Sequence, residues 1–254
     1  MTSDPDGVAA FDAPLTFTAT IREALTMYRR KPLALIAPFA VFYLLVTTLV
    51  VGARGAQDLA GAGRVALVLA FQLGVPVLGT IATALSIVVM HDASLGRPTG
   101  VGTAARALRP MAKEVLAAAL LAAILAFLIF IPPLSVLVIF IGSTGLSAVL
   151  FGPPIVIHAV VLERKTLARA WPRTRALMSG NWARLLLHWL TIALVVTVIA
   201  GLLSLPGRIN ALASVIVNGI VLGAFVPFIA AFVLVTYLDV RTGLDSTGAR
   251  EAPA

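Results

Sequence analysis

The chain has 254 residues, 60% hydrophobic and only 12% charged, with a mean hydropathy of +1.03. These values lie outside the range of soluble domains and specify one membrane unit. No cysteine is present, which excludes disulfides, thiolate zinc, iron–sulfur ligation and a cysteine nucleophile. The net charge of +8 sits at the ends of apolar segments rather than on a soluble basic face, so it argues for membrane lipids as partner and against nucleic acid.

In chain order, residues 1–15 read as a disordered tail. The first 13 carry Asp4, Asp6 and Asp12 and no basic group, unlike a cleavable signal peptide, so the first span is expected to be an uncleaved anchor. From Phe17, apolar residues recur at Phe17, Ile21, Ala24, Leu25 and Tyr28, with Arg22, Glu23, Arg29 and Arg30 elsewhere. This predicts an amphipathic helix lying on the membrane. Pro32 opens a first span, 33–52, at a helix start where its missing N–H is harmless. A second span lies between Arg64 and His91. Val101, Ala104, Ala105 and Leu108 then give a second surface stripe, with Arg106 and Arg109 off it or at its edge.

Residues 115–162 form 48 consecutive positions without Asp, Glu, Lys or Arg. An ionised side chain at the centre of a membrane helix costs roughly 2.5–3.5 kcal/mol on insertion scales, so this run is written for a bilayer. Its length demands two helices, turning at Pro132 and Pro133. Leu167, Trp171 and Met178 mark a third, weaker surface stripe, interrupted by Pro172. Spans five and six lie between Arg184 and Arg208 and between Arg208 and Asp239, and residues 244–254 form a second disordered tail.

The fold expected is therefore all-α: residues 16–243 form six transmembrane helices with amphipathic interfacial helices. Basic residues divide 16 to 3 between the two sides, which places both termini in the cytoplasm. Arg outnumbers Lys by 16 to 3 and Ala is abundant, a bias of high-GC bacterial coding, so the membrane expected is the bacterial inner membrane.

No constellation of residues rises to a catalytic, cofactor or metal site. His91 and Asp92 are adjacent, but nothing at usable spacing supplies the remaining ligands. His158 and His188 lie at similar depth inside the cytoplasmic boundary. With no Asp or Glu inside any predicted span, they read as a hydrogen-bonded polar pair rather than a proton relay. Arg164, Lys165, Arg169, Arg173, Arg175 and Arg184 form the densest basic loop and are the candidate contacts to anionic lipid, flanked by Trp171 and Trp182 as interface anchors. Small-residue faces at Gly142, Gly145 and Ser147 and at Gly219 and Gly223 suit helix packing within the monomer; the oligomeric state stays open.

The strings beginning at Ile21, Ala104 and Leu167 look like three versions of one unit, a surface helix followed by a hydrophobic hairpin. Residues 156–186 (VIHAVVLERKTLARAWPRTRALMSGNWARLL) resemble the core signature of the glycerophosphoryl diester phosphodiesterase membrane-domain family. Glu163, Arg164, Ala170, Trp171, Gly180, Asn181, Trp182 and Arg184 carry the match, and Tyr237, Asp239 and Arg241 are similar to the family's closing Tyr-x-Asp-x-Arg pattern. Pro172 departs from it. Enzymatic members carry a separate soluble barrel, whereas the longest non-membrane segment here is about 32 residues, too short for an independent domain. The resemblance thus implies a stand-alone membrane domain without catalytic activity: a structural or lipid-interacting module assisting a protein partner. A small transporter or permease component for a polar solute or lipid is the alternative, with Gln72, Asn210 and Asn218 as further polar groups in the spans.

Overall fold

The computed structural model describes residues 2–3, 9–11, 15–30, 32–42, 62–129, 155–179, 181, 183–185, 187–188, 191, 194–195, 198 and 225–244. Its regular structure is helical, apart from a two-residue antiparallel pairing of β1 (Thr2–Ser3) with β2 (Ala9–Ala10). In chain order the described helices are α1 (Phe17–Arg30), α2 (Pro32–Phe42), α3 (Ala62–Ser94), α4 (Val101–Leu108), α5 (Ala112–Ile129), α6 (155–162), α7 (Leu167–Ser179), α8 (helical positions within 183–198) and α9 (Phe225–Leu244). Among the described residues two segments are long and apolar enough to cross a membrane, Pro76–Ser94 within α3 and Phe225–Leu244. The Pro132–Pro133 turn, both small-residue faces, Trp182, the Gln72 side chain, Asn210, Asn218 and residues 245–254 lie outside the described residues.

Local chemistry explains where the helices stop. The Thr16 hydroxyl accepts the Ala19 N–H at 3.3 Å and caps α1, which ends in Arg29 and Arg30 beside its negative pole. At the end of α3, Gly96 adopts φ +70°, Arg97 N donates to Asp92 O at 2.9 Å and Gly96 N to Ala93 O at 3.2 Å. This is a Schellman closure, for which glycine has no side-chain penalty. Thr99 Oγ1 then donates to Val89 O at 3.2 Å and folds the chain back along α3. A 3-10 turn, Arg109–Met111, joins α4 to α5.

Helix α7 runs unbroken through Pro172. Pro172 is exposed, so the carbonyl that loses its amide partner, that of the exposed Ala168, can turn to water. The first amide of α7, Leu167 N–H, donates to Glu114 Oε2 at 2.7 Å, placing a carboxylate from α5 on the positive pole of α7.

Helix α4 turns its predicted stripe inward, whereas in α1 and α7 stripe and buried face share only Ala24 and Met178. Their buried positions are Thr20, Ala24 and Met27 in α1, Ala104 and Leu108 in α4, and Ala170, Thr174, Leu177 and Met178 in α7. Ala24, Ala104 and Ala170 are 0%, 1% and 0% exposed, whereas Ile21 and Trp171 remain 37% and 36% exposed. Small side chains let a helix approach the bundle closely, which leaves Ile21 and Trp171 on the outer flank while Phe17 and Tyr28 pack partly against the core.

At the centre, residues 155–161 of α6 and 230–241 of α9 are buried at every position, as expected of helices apolar on all sides. The helices that follow the surface helices do the reverse. Leu33 and Val41 in α2, Leu116, Leu120 and Ile124 in α5, and Leu187, Leu194 and Val198 in α8 are all exposed. Outward stripes at helical spacing present contiguous apolar surface of the kind that meets a membrane or another protein.

Within the segment before α1, Phe11 and Leu15 are engaged with α9. Phe11 is buried in the core, its N–H donates to Thr242 Oγ1 at 3.4 Å, and Leu15 N–H donates to Asp239 Oδ1 at 2.7 Å. A buried aromatic ring and a carboxylate acceptor supply the interactions that hold these two residues.

Candidate functional site

The polar centre of the molecule is built on α9. Tyr237 and Arg241 are one helical turn apart and share a face, while Asp239, two residues from each, points to the opposite side. The helix therefore offers a hydroxyl and a cation to one neighbour and a carboxylate to another.

The first neighbour is Glu163, in the bend that ends α6, with its side chain 6% exposed. Tyr237 Oη donates to its Oε1 at 2.5 Å, and Lys165 Nζ donates to Oε2. Arg173 Nε from α7 lies 3.3 Å from Oε2, and Arg241 Nε 3.3 Å from Oε1. Arg164, between Glu163 and Lys165, takes a left-handed backbone conformation at φ 49°. That conformation costs a non-glycine residue roughly 1–2 kcal/mol, and here it accompanies the reversal that returns Lys165 to the carboxylate. Three positive charges meet one negative charge, which leaves the cluster a surplus of two.

Burial by itself would raise the Glu163 carboxyl, but the hydrogen bonds from Lys165 and Tyr237 and the charge of Arg173 together outweigh it and hold the group below its ordinary value. The sign of the pH effect follows. A carboxyl depressed in the folded state adds stability that is complete above its unfolded value of 4.5 and is lost as pH falls through the lower folded value. Melting curves of the solubilised protein are expected to move down on acidification below about 4.5, and Glu163→Gln to remove that part of the slope. Equal acid slopes in the two proteins would deny Glu163 this role.

The second neighbour is the start of α8. Asp239, with a side chain 1% exposed, forms an ion pair with Arg184 Nη2. The same Nη2 donates to Leu15 O at 2.6 Å, while Leu15 N–H donates to Asp239 Oδ1. The chain before α1, the first turn of α8 and the last turns of α9 thus close on one carboxylate. Asn181 prepares the entry to α8: its N–H donates to Met178 O at 3.0 Å and its carbonyl accepts Leu185 N–H at 2.9 Å.

The two histidines both lie against α9. His158 is fully buried and stacks on Tyr237 at 5.3 Å between ring centroids. His188 Nδ1 lies 3.4 Å from Thr236 Oγ1, and its ring meets Phe17 at 5.2 Å and Phe232 at 5.3 Å. The space among Ile155, His188, Phe232 and Tyr237 amounts to about 10 Å³. His91 Nδ1 lies 3.7 Å from Asp92 Oδ1, and Arg97 Nη1 lies 3.8 Å from the same oxygen. Among the described residues no group of three potential metal ligands forms.

The six loop cations divide into two sets. Lys165, Arg173 and Arg184 are engaged with the buried carboxylates, while Arg164, Arg169 and Arg175 are exposed, as is Trp171. The sequence marked Glu163, Tyr237, Asp239 and Arg241 only as carriers of a resemblance, and their convergence is a product of the fold. The available signal was the placement of two acids at the ends of apolar segments, where a carboxylate must find a partner. No family model, curated protein or solved structure matches the chain.

Proposed function

We propose that the chain is a multi-pass protein of the bacterial inner membrane with both termini in the cytoplasm. In this reading it is a non-catalytic structural or lipid-interacting module that assists a protein partner, as its resemblance to the phosphodiesterase membrane domain implies. Six spans agree with the outward apolar stripes of α2, α5 and α8, with the two apolar segments in α3 and α9, and with the 48-residue charge-free run. A threefold repeat is supported by the order of elements, in which α1, α4 and α7 each precede a helix with an outward apolar stripe, and by the buried alanine each surface helix carries.

The observation that carries the functional reading is that the described polar centre is closed. Glu163 and Asp239 are taken up by internal partners, and the space beside His188, about 10 Å³, has room for no more than one water molecule. A permeating solute needs polar groups along a wet cavity, and a general acid or base needs a pocket beside it. The surplus charge of the Glu163 cluster, with exposed Arg164, Arg169 and Arg175, instead favours anionic head groups at the surface.

The test joins topology to transport and lipid retention. Reporters at Gly61 and Pro206 should read as external, and proteoliposomes should pass amino acids, sugars and inorganic ions no faster than empty vesicles. The variant R164N/R169Q/R175Q should co-purify several-fold less anionic lipid at low salt and lose that difference at high salt, because exposed charges are screened. Asparagine is chosen at 164 because it tolerates the left-handed conformation. A cytoplasmic signal at either reporter would break the six-span arrangement, and protein-dependent flux of a solute would replace the scaffold reading with transport.

A further inference from the structure

Helix α3 is 33 residues long, about 50 Å, whereas a bilayer's hydrocarbon core is about 30 Å thick. A helix of this length reaches past the hydrocarbon at one end or both. Arg106 and Arg109, from α4 and the 3-10 turn after it, line an open groove of about 490 Å³ whose other walls include Ile81, Leu85, Val115 and Leu116.

Both arginines are exposed, and among the described residues neither pairs with a carboxylate. Arg106 Nε donates to Gly102 O at 3.3 Å, which leaves its terminal nitrogens as donors. Below them the exposed stripe of Leu116, Leu120 and Ile124 continues along α5. Eight residues of helix span about 12 Å, close to the depth of one leaflet. A second groove, of about 370 Å³, adjoins the first across Ile81 and Leu85 and has only apolar walls, among them Val41, Phe42 and Leu78.

We infer that the groove between α3, α4 and α5 is a binding site for one anionic phospholipid, its phosphate held by Arg106 and Arg109 and an acyl chain laid along Leu116, Leu120 and Ile124. The assignment rests on the membrane reading above, but places a defined lipid away from the 164–184 loop. Two exposed arginines lining an otherwise apolar groove match an anion joined to a hydrocarbon chain, a combination that neither a free anion nor a neutral lipid supplies.

The full chain in nanodiscs of equimolar phosphatidylcholine and phosphatidylglycerol, then extracted into detergent, would be read by native mass spectrometry. Wild type should retain one phosphatidylglycerol per chain in preference to phosphatidylcholine. R106Q/R109Q should lower that preference about tenfold or more, the scale expected for two cations at a membrane surface. R106K/R109K should keep most of it. Ala112→Trp, which fills the groove with both arginines in place, should lose the lipid as well. The R169Q/R175Q variant should leave it bound. Wild-type retention by R106Q/R109Q or by Ala112→Trp overturns the site, as does equal retention of the two lipids by wild type. Loss confined to R169Q/R175Q overturns it while sparing the loop reading, and failure of the chain to enter nanodiscs overturns the membrane reading itself.

Discussion

Replacing Glu163 with glutamine is expected to destabilise the protein by about 3–5 kcal/mol, the cost of removing one partner from a buried ion pair. Lys165 and Arg173 retain some access to solvent, with side chains 34% and 21% exposed, and can recover part of their hydration. Arg241, at 5%, cannot, and its uncompensated charge should dominate the loss. The Tyr237 hydroxyl can still donate to the glutamine carbonyl, so the change tests charge rather than hydrogen bonding. Adding Arg241→Gln to Glu163→Gln should restore part of the stability, because the buried charge left behind is then gone. Unfolding in mixed micelles would measure both. A single variant within about 0.5 kcal/mol of wild type, the usual range for surface changes, would mean the cluster is not a stabilising element.

The second large effect is expected at Asp239. Alanine there should cost about 3 kcal/mol or more, since it leaves Arg184 without its carboxylate and Leu15 N–H without its acceptor. Asparagine should cost less, because its carbonyl can still accept from Leu15 N–H. The two substitutions separate in a local readout. Exchange of the Leu15 amide should accelerate strongly in Asp239→Ala and much less in Asp239→Asn, while α5, whose contacts lie elsewhere, stays protected. Unchanged exchange at Leu15 in the alanine variant would show that the segment before α1 is held by Phe11 alone.

The helices themselves were open to sequence reasoning. Apolar residues at helical spacing, Pro32 at the start of α2, Arg29 and Arg30 at the end of α1, and long charge-free segments are local properties, and each reports a preference felt within a few residues. The facing of the surface helices was less open. The stripes already held Ala24 and Ala104, which are buried, but packing density decided that Ala170 would touch the bundle and that Ile21 and Trp171 would stay on the flank. Pro172 was misleading for a similar reason, since the cost of a proline in a helix depends on whether the carbonyl it orphans can reach water, and exposure is a tertiary fact.

What composition and pattern determined by themselves is the helical elements this chain forms and their apolar character. What only the tertiary structure decided is which charges are spent inside. The basic loop read as six equivalent cations, but Glu163 engages Lys165 two residues away, Arg173 ten away, Tyr237 74 away and Arg241 from the same turn of α9. Asp239 likewise gathers Arg184 and Leu15 across separations of 55 and 224 residues. No local rule encodes such pairings, because a buried carboxylate takes whichever cations the packing of distant helices brings within reach, and that packing is a property of the whole chain.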